Sequence, residues 1–298
     1  MSGPMSYSNG VIFVIVASVL WSAMGLAIRN IDEAGTWAVL FWRSLGLVPV
    51  LLAYVTRSSG GHPLRRIRKV GLAGIVGGAG LVFAFAGAIF AIQSTTVANA
   101  VFLFSASPFL AAVLGWILLR EPVRLATWVA MALALAGMWI MVREGLAAGA
   151  LAGNIAALLS AFGFAAFSIA LRWRRVENMM PAVILGGVFS ALVAAAVLWA
   201  TGGSLAVSVK DGAIAMGMGA GLLAAGMVLY TLGSRVIPAA ELTLLSMVEV
   251  LLAPVWVWAF LGETASQATF LGGAVLMSAI AFNAMSGARR KPVAPPIT

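Results

Sequence analysis

Apolar residues arrive in runs of about twenty, one after another from Val11 to Met285, and the gaps between them are too short to hold a soluble domain. A hydrocarbon core ~30 Å thick is crossed by about 20 residues of α-helix, so these runs predict membrane spans. They fall near 10–29, 35–56, 70–93, 96–119, 125–142, 151–172, 181–201, 212–234, 238–261 and 266–286. Barrel strands are excluded, because they are ~10 residues long and alternate with polar lumen positions. Charged residues make up 9% of the chain and mean hydropathy is +1.07, whereas a soluble domain carries about 25% charged residues. The expected fold class is therefore all-α integral membrane, with about ten transmembrane helices.

The net charge of +9 would point to nucleic acid in a soluble protein. Here the basic residues sit between apolar runs, and so they report orientation and not a nucleic-acid partner. With both termini cytoplasmic, the inner gaps hold Arg57, Arg65, Arg66, Arg68 and Lys69; Arg120 and Arg124; Arg172, Arg174 and Arg175; Arg235; and Arg289, Arg290 and Lys291. The outer gaps hold only Arg29, Arg143 and Lys210, while Arg43 falls inside a run. That asymmetry is the positive-inside pattern and predicts cytoplasmic ends. No Lys or Arg precedes Val11, so the first run reads as a retained helix and not a signal peptide.

The chain also repeats itself. A shift of 142 residues lays Ala98 on Ala240, Leu103 on Leu245, Trp116 on Trp258, Leu119 on Leu261, Glu121 on Glu263 and Thr127 on Thr269. A shift of 143 lays Gly74 and Gly78 on Gly217 and Gly221, and Arg29 on Arg172. Five helices per copy is an odd number, so the second copy enters the membrane from the opposite side. The expected organisation is a first five-helix repeat over 1–145, a second, inverted five-helix repeat over 146–288, and a cytoplasmic tail over 289–298. Many secondary transporters alternate access around a midplane site through this architecture.

The stretch "AIQSTTVANAVFLFSASPFLAAVLGWILLREPVRLATWVAMALALAGMWIMV" resembles the signature half of the EamA-type drug/metabolite transporter superfamily. It shares that family's small-residue helix start, mid-helix Ser-x-x-Pro and terminal Arg-Glu. Residues 237–285 look like a second, weaker copy, and "LWSAMGLAIR" and "FWRSLGLVPVLLA" look like the first two helices. Within the superfamily the chain looks most similar to bacterial YddG-type amino-acid exporters. The resemblance implies a multi-pass protein of the bacterial inner membrane that exports small neutral amino acids. The sequence departs from strict symmetry at Pro254, four positions later than Pro108 maps, and at Arg43, which has no counterpart in the seventh run.

Several residues are candidates for substrate contact. Arg43 lies mid-span, where a cation costs ~2.5–3.5 kcal/mol on insertion scales, so a partner carboxylate or a wet cavity is expected around it. Glu241 and Glu249 are the acids inside an apolar run. Just after Pro238, Glu241 reads as a helix-start acid. The deeper Glu249 reads as the partner of Arg43 or as a proton carrier. Asn99 and Ser168 offer hydrogen bonds, though such residues more often join helices. Trp21, Phe83 and Tyr230 offer apolar walls, whereas Trp116, Trp139, Trp199 and Trp258 fit an interfacial belt. Pro108 and Pro254 each remove a backbone donor within a span and are the candidate gating hinges. Gly74, Gly78, Gly217 and Gly221 are expected to let helices approach closely.

No cysteine is present and His62 is the one histidine, so no metal site or cofactor is expected. No phosphate-binding G-x-x-x-x-G-K-[ST] occurs, nor the H-E-x-x-H or G-x-S-x-G of hydrolases, so no enzyme is expected. The function expected is a secondary or facilitative transporter, working as a monomer in the lipid bilayer on a small-molecule substrate, with protons as a possible coupling ion. The alternative within the superfamily is a multidrug or hydrophobic-cation exporter. From other classes, the alternatives are a membrane enzyme and a non-transporting interaction subunit.

Overall fold

The computed structural model describes residues 6–147, 150–174, 176, 178–234, 236 and 239–288. The described chain is helical, with α1 Tyr7–Ser22, α2 Met24–Arg29, α3 Thr36–Ser58, α4 Pro63–Lys69, α5 Gly71–Ser94, α6 Val97–Phe104 and α7 Ser107–Leu119. It continues with α8 Leu125–Ala147, α9 Leu151–Trp173, α10 Met180–Thr201, α11 Val209–Gly217, a π-helical turn Met218–Ala224, α12 Ala225–Gly233, α13 Ala239–Leu261 and α14 Gln267–Ala288. Among the described residues, seven spans are long and apolar enough to cross a membrane by length and composition, and 125–141, 248–261 and 267–283 are shorter apolar stretches. The tail over 289–298, Pro238 and the side chain of Glu241 lie outside the described residues.

Helix ends follow local chemistry. Ser6, Thr96 and Ser208 cap α1, α6 and α11, their hydroxyls accepting from the backbone N–H groups of Asn9, Asn99 and Asp211, which satisfies donors that a helix start leaves orphaned. Pro108 has no N–H to donate to the carbonyl four residues back, that of Phe104. The helix α6 ends at Phe104, and α7 restarts with Pro108 in its first turn. By contrast, α13 runs unbroken through Pro254. The short basic helix α4, begun by Pro63, occupies a segment that hydropathy alone reads as a loop.

The most extensive contacts join early helices to late ones. The pairs are α5 with α9, α8 with α14, α10 with both α3 and α5, α1 with both α13 and α12, α3 with the π-helical turn, and α7 with α9. The closest approach is at Gly219 of the π-helical turn, where an added Cβ would lie 1.9 Å from the Arg43 carbonyl oxygen. This corrects the sequence reading. Gly74 and Gly78 do abut α10, but nothing lies within 4 Å of a Cβ added at Gly217 or Gly221. The π-helical turn carries more residues per turn than an α-helix and turns Gly219 to α3 instead.

Candidate functional site

Arg43 is 3% exposed, inside the helix bundle. Its guanidinium carbon lies 4.5 Å from the centre of the Phe85 ring, and its Nε and Nη2 have no hydrogen-bond partner. The carbonyl of the same residue meets Gly219, so α3 is held against the π-helical turn while its side chain turns to α5. A ring face offsets ~0.5–2 kcal/mol for a cation, less than the insertion cost of the charge. The ion pair with Glu249 that the sequence suggested does not form. Arg43 is thus a buried cation whose free N–H groups suit an anion.

Three of the sequence candidates meet elsewhere in the bundle. The Trp21 and Tyr230 rings lie 5.3 Å apart at 41°, and the Trp21 indole N–H points to the Leu223 carbonyl at 3.5 Å. Tyr230 shares a hydrogen bond with Ser246 and lies near the Glu249 carboxylate. Gly226 makes this possible, because a Cβ there would lie 2.2 Å from the Trp21 indole nitrogen. Beside them, the Trp256 indole donates to the Ser22 hydroxyl at 2.8 Å. The result is an aromatic wall with a carboxylate, built from α1, α12 and α13.

The remaining candidates scatter. Phe83 is 62% exposed, and Phe85 is the ring on Arg43; two residues on a helix are about 200° apart around its axis, so only one of them faces that guanidinium. Ser168 returns its hydroxyl to the Phe164 carbonyl at 3.0 Å. Asn99 is buried and donates to Asn154 of α9 and, at 3.2 Å, to the Thr95 hydroxyl. Pro108 is exposed at the α6–α7 break, and Pro254 lines an apolar cavity of about 430 Å³ with Phe102 and Trp258.

The ends of the bundle carry what the sequence reading missed. Arg29 Nε donates to Glu263 at 2.7 Å, and its Nη2 donates to the Thr95 carbonyl at 2.6 Å. Glu263 also accepts the Val97 N–H at 2.7 Å, which places a carboxylate on the start of α6. This cluster lines a cavity of about 520 Å³ shared with Asn99 and Thr269. A second pair, Arg172 with Glu121, lies at the far end of the α6–α7 span. Near the first pair, Asp211 is 1% exposed and accepts the N–H groups of Asp32, Glu33 and Ala34 at 3.0–3.1 Å. Asp211 was legible as the end of Ser208-x-x-Asp211, a capping pattern.

Comparison with known proteins bears on these elements. Residues 8–143 match the EamA-like transporter family. The chain is 27% identical over 191 residues to a Bacillus subtilis (strain 168) protein named "Uncharacterized transporter YwfM", covering 63% of this chain and 64% of that protein. The chain thus spans less than two thirds of that relative. A crystal structure of a protein 20% identical in sequence superposes over 96% of this chain and 100% of its own, with a TM-score of 0.68. That likeness establishes a shared fold. The EamA-like match covers α1 through most of α8, and so includes Trp21, Arg43 and Asn99.

Proposed function

We propose that this chain is a secondary or facilitative transporter of the EamA type that exports small neutral amino acids, aromatic and hydrophobic ones above all, by alternating access. In this reading it crosses the bacterial inner membrane ten times with both termini in the cytoplasm, works as a monomer, and has two inverted halves, 1–145 and 146–288. The helix contacts support the halves. Exchanging the first five spans for the last five turns α1 with α13 into α9 with α7, turns α3 with the π-helical turn into α10 with α5, and maps α8 with α14 onto itself.

Arg43 carries the proposal. A buried guanidinium with two unpartnered nitrogens, Nε and Nη2, beside Phe85 is expensive in a membrane, and a substrate carboxylate offsets that cost when it binds. Glu249, with Tyr230 and Trp21, supplies an anion and an aromatic wall for an ammonium and an apolar side chain. Asn99, Ser168 and Phe83 lie apart from this core, and Pro108 and Pro254 act as hinges.

Proteoliposomes containing the purified chain test this. L-phenylalanine and L-tryptophan are expected to move, and Arg43→Ala is expected to abolish that flux while the protein stays folded. One observation favours a second reading. The carboxylate and aromatic wall at Glu249, Tyr230 and Trp21 suit a lipophilic cation, whose transport would survive Arg43→Ala. Vesicles that carry such a cation and no neutral amino acid decide for that reading.

A further inference from the structure

We propose that Arg29–Glu263 and Arg172–Glu121 are one latch copied to the two ends of the transport pathway, and that these four residues gate it. The inference rests on the transport reading above and adds to it a gating role for four residues, of which Glu121 was marked by the motif without a role and the others only by the repeat or the charge pattern.

The two pairs are equivalent in sequence. Arg29 maps onto Arg172 by the 143-residue shift and Glu121 onto Glu263 by the 142-residue shift. Each pair therefore joins an arginine of one half to a glutamate of the other, with the roles exchanged. The backbone repeats the same device. Helix α7 ends at Leu119 and α13 at Leu261; Arg120 and Gly262 follow in the left-handed region at φ 54° and 66°. The Glu121 N–H then donates to the Gly115 carbonyl and the Glu263 N–H to the Val257 carbonyl, both at 3.2 Å. Both bonds reach six positions back, one more than the 6→1 bond of the common helix C-terminal motif, so the two glutamates leave their helices through matching backbone turns.

The pairs also sit at opposite ends of the same helices. Thr95 and Val97, at the start of the α6–α7 span, bind Arg29 and Glu263, and Glu121, at its finish, binds Arg172. Helix α9 starts with Gly153 against Ser94 and finishes at Arg172 beside Gly115. A rocking motion of one half against the other pulls one end open while it presses the other closed. One latch breaks while the other holds.

Each latch is weak enough to break, since a partly exposed ion pair contributes little on its own. The two differ in a useful way. Arg29 and Glu263 side chains are 25% and 19% exposed and carry the extra bonds to Thr95 and Val97, whereas Arg172 and Glu121 are 52% and 38% exposed. The Arg172–Glu121 end therefore releases first.

The natural absence of cysteine provides the test. Ala98 is buried one residue after the Val97 N–H that Glu263 accepts. In purified Ala98→Cys protein, the rate of labelling by a hydrophilic maleimide reports opening at the Arg29 end. Glu263→Gln is expected to raise that rate about tenfold, and Glu121→Gln to lower it, because freeing one end favours the state in which the other is shut. Arg29→Gln and Arg172→Gln should repeat the opposed pattern in case either glutamine variant folds poorly. Shifts in the same direction, or none, overturn the latches. Wild-type flux together with same-direction shifts removes the latches alone. Opposed shifts in a protein that carries no solute support the latches and remove the transport reading.

Discussion

Arg120 and Gly262 adopt the same left-handed turn, at φ 54° and 66°, and each hands the chain to a glutamate that reaches an arginine of the other half. Only one of them is the residue that the turn prefers. Left-handed backbone costs a side-chain-bearing residue ~1–2 kcal/mol, while glycine adds ~0.4–1 kcal/mol of unfolded-chain entropy. Arg120→Gly is thus expected to raise stability slightly, by about 0.5 kcal/mol, and Gly262→Ala to lower it by about 1 kcal/mol. Thermal unfolding of both variants in detergent measures the contrast, and equal shifts would show that the two turns are not equivalent.

Asp211 ties the segment between α2 and α3 to the start of α11 through three backbone N–H groups. A hydrogen bond to a charged group contributes ~1.5–3 kcal/mol, less where water can replace it. Asp32 and Glu33 are exposed and Ala34 is half-buried, so water takes up part of what Asp211→Ala frees; a loss of about 1–2 kcal/mol is expected, with Asp211→Asn losing less because its carbonyl oxygen still accepts. Fluorescence-monitored unfolding distinguishes the two; an alanine variant as stable as the parent removes the anchoring role.

Gly219 and Gly221 are two residues apart in one π-helical turn and face opposite surroundings. A methyl at 219 would meet the Arg43 carbonyl oxygen, and one at 221 meets nothing within 4 Å. Gly219→Ala must push α3 from the π-helical turn and should cut both stability and flux, by about 1–3 kcal/mol in stability as for other overpacked sites. Gly221→Ala should leave both near the parent. Paired measurements of unfolding temperature and flux check this.

Pro108 and Pro254 act differently if the hinge proposal holds. Each alanine variant is expected to slow transport more than it weakens substrate binding. The larger effect belongs to Pro108, because its span is already divided after Phe104 and alanine would restore that carbonyl's bond. Initial flux rates set beside equilibrium binding give the ratio. Unchanged flux in both variants reduces the prolines to static kinks.

Most helices were legible from hydropathy because a membrane span is a local property of composition, and the caps at Ser6, Thr96 and Ser208 begin three helices where short polar side chains meet apolar runs. The division of α6 from α7 was half legible: Pro108 announces a missing donor, but Pro254 announces the same and leaves α13 whole. The π-helical turn has no such mark. Site residues were harder, because partners lie far apart in the chain. Arg29 and Glu263 are 234 residues apart, and the repeat identifies each one's equivalent without identifying its partner. The same distance problem led the sequence reading to join Arg43 with Glu249, which the bundle sends to different neighbours, Phe85 and Tyr230.

The interleaving of early with late helices has a consequence for how the chain is made. Helices α1, α3, α5 and α8 find their most extensive partners among α9 to α14, so the first spans to leave the ribosome cross the bilayer before those partners exist. Their polar groups, Arg43 among them, must wait in lipid or in the insertion machinery until the second half arrives. Biogenesis therefore has a vulnerable interval that ends only with the last spans. Two separately translated fragments, cut between Ala147 and Ala150, should each be degraded alone and rescue one another when produced together.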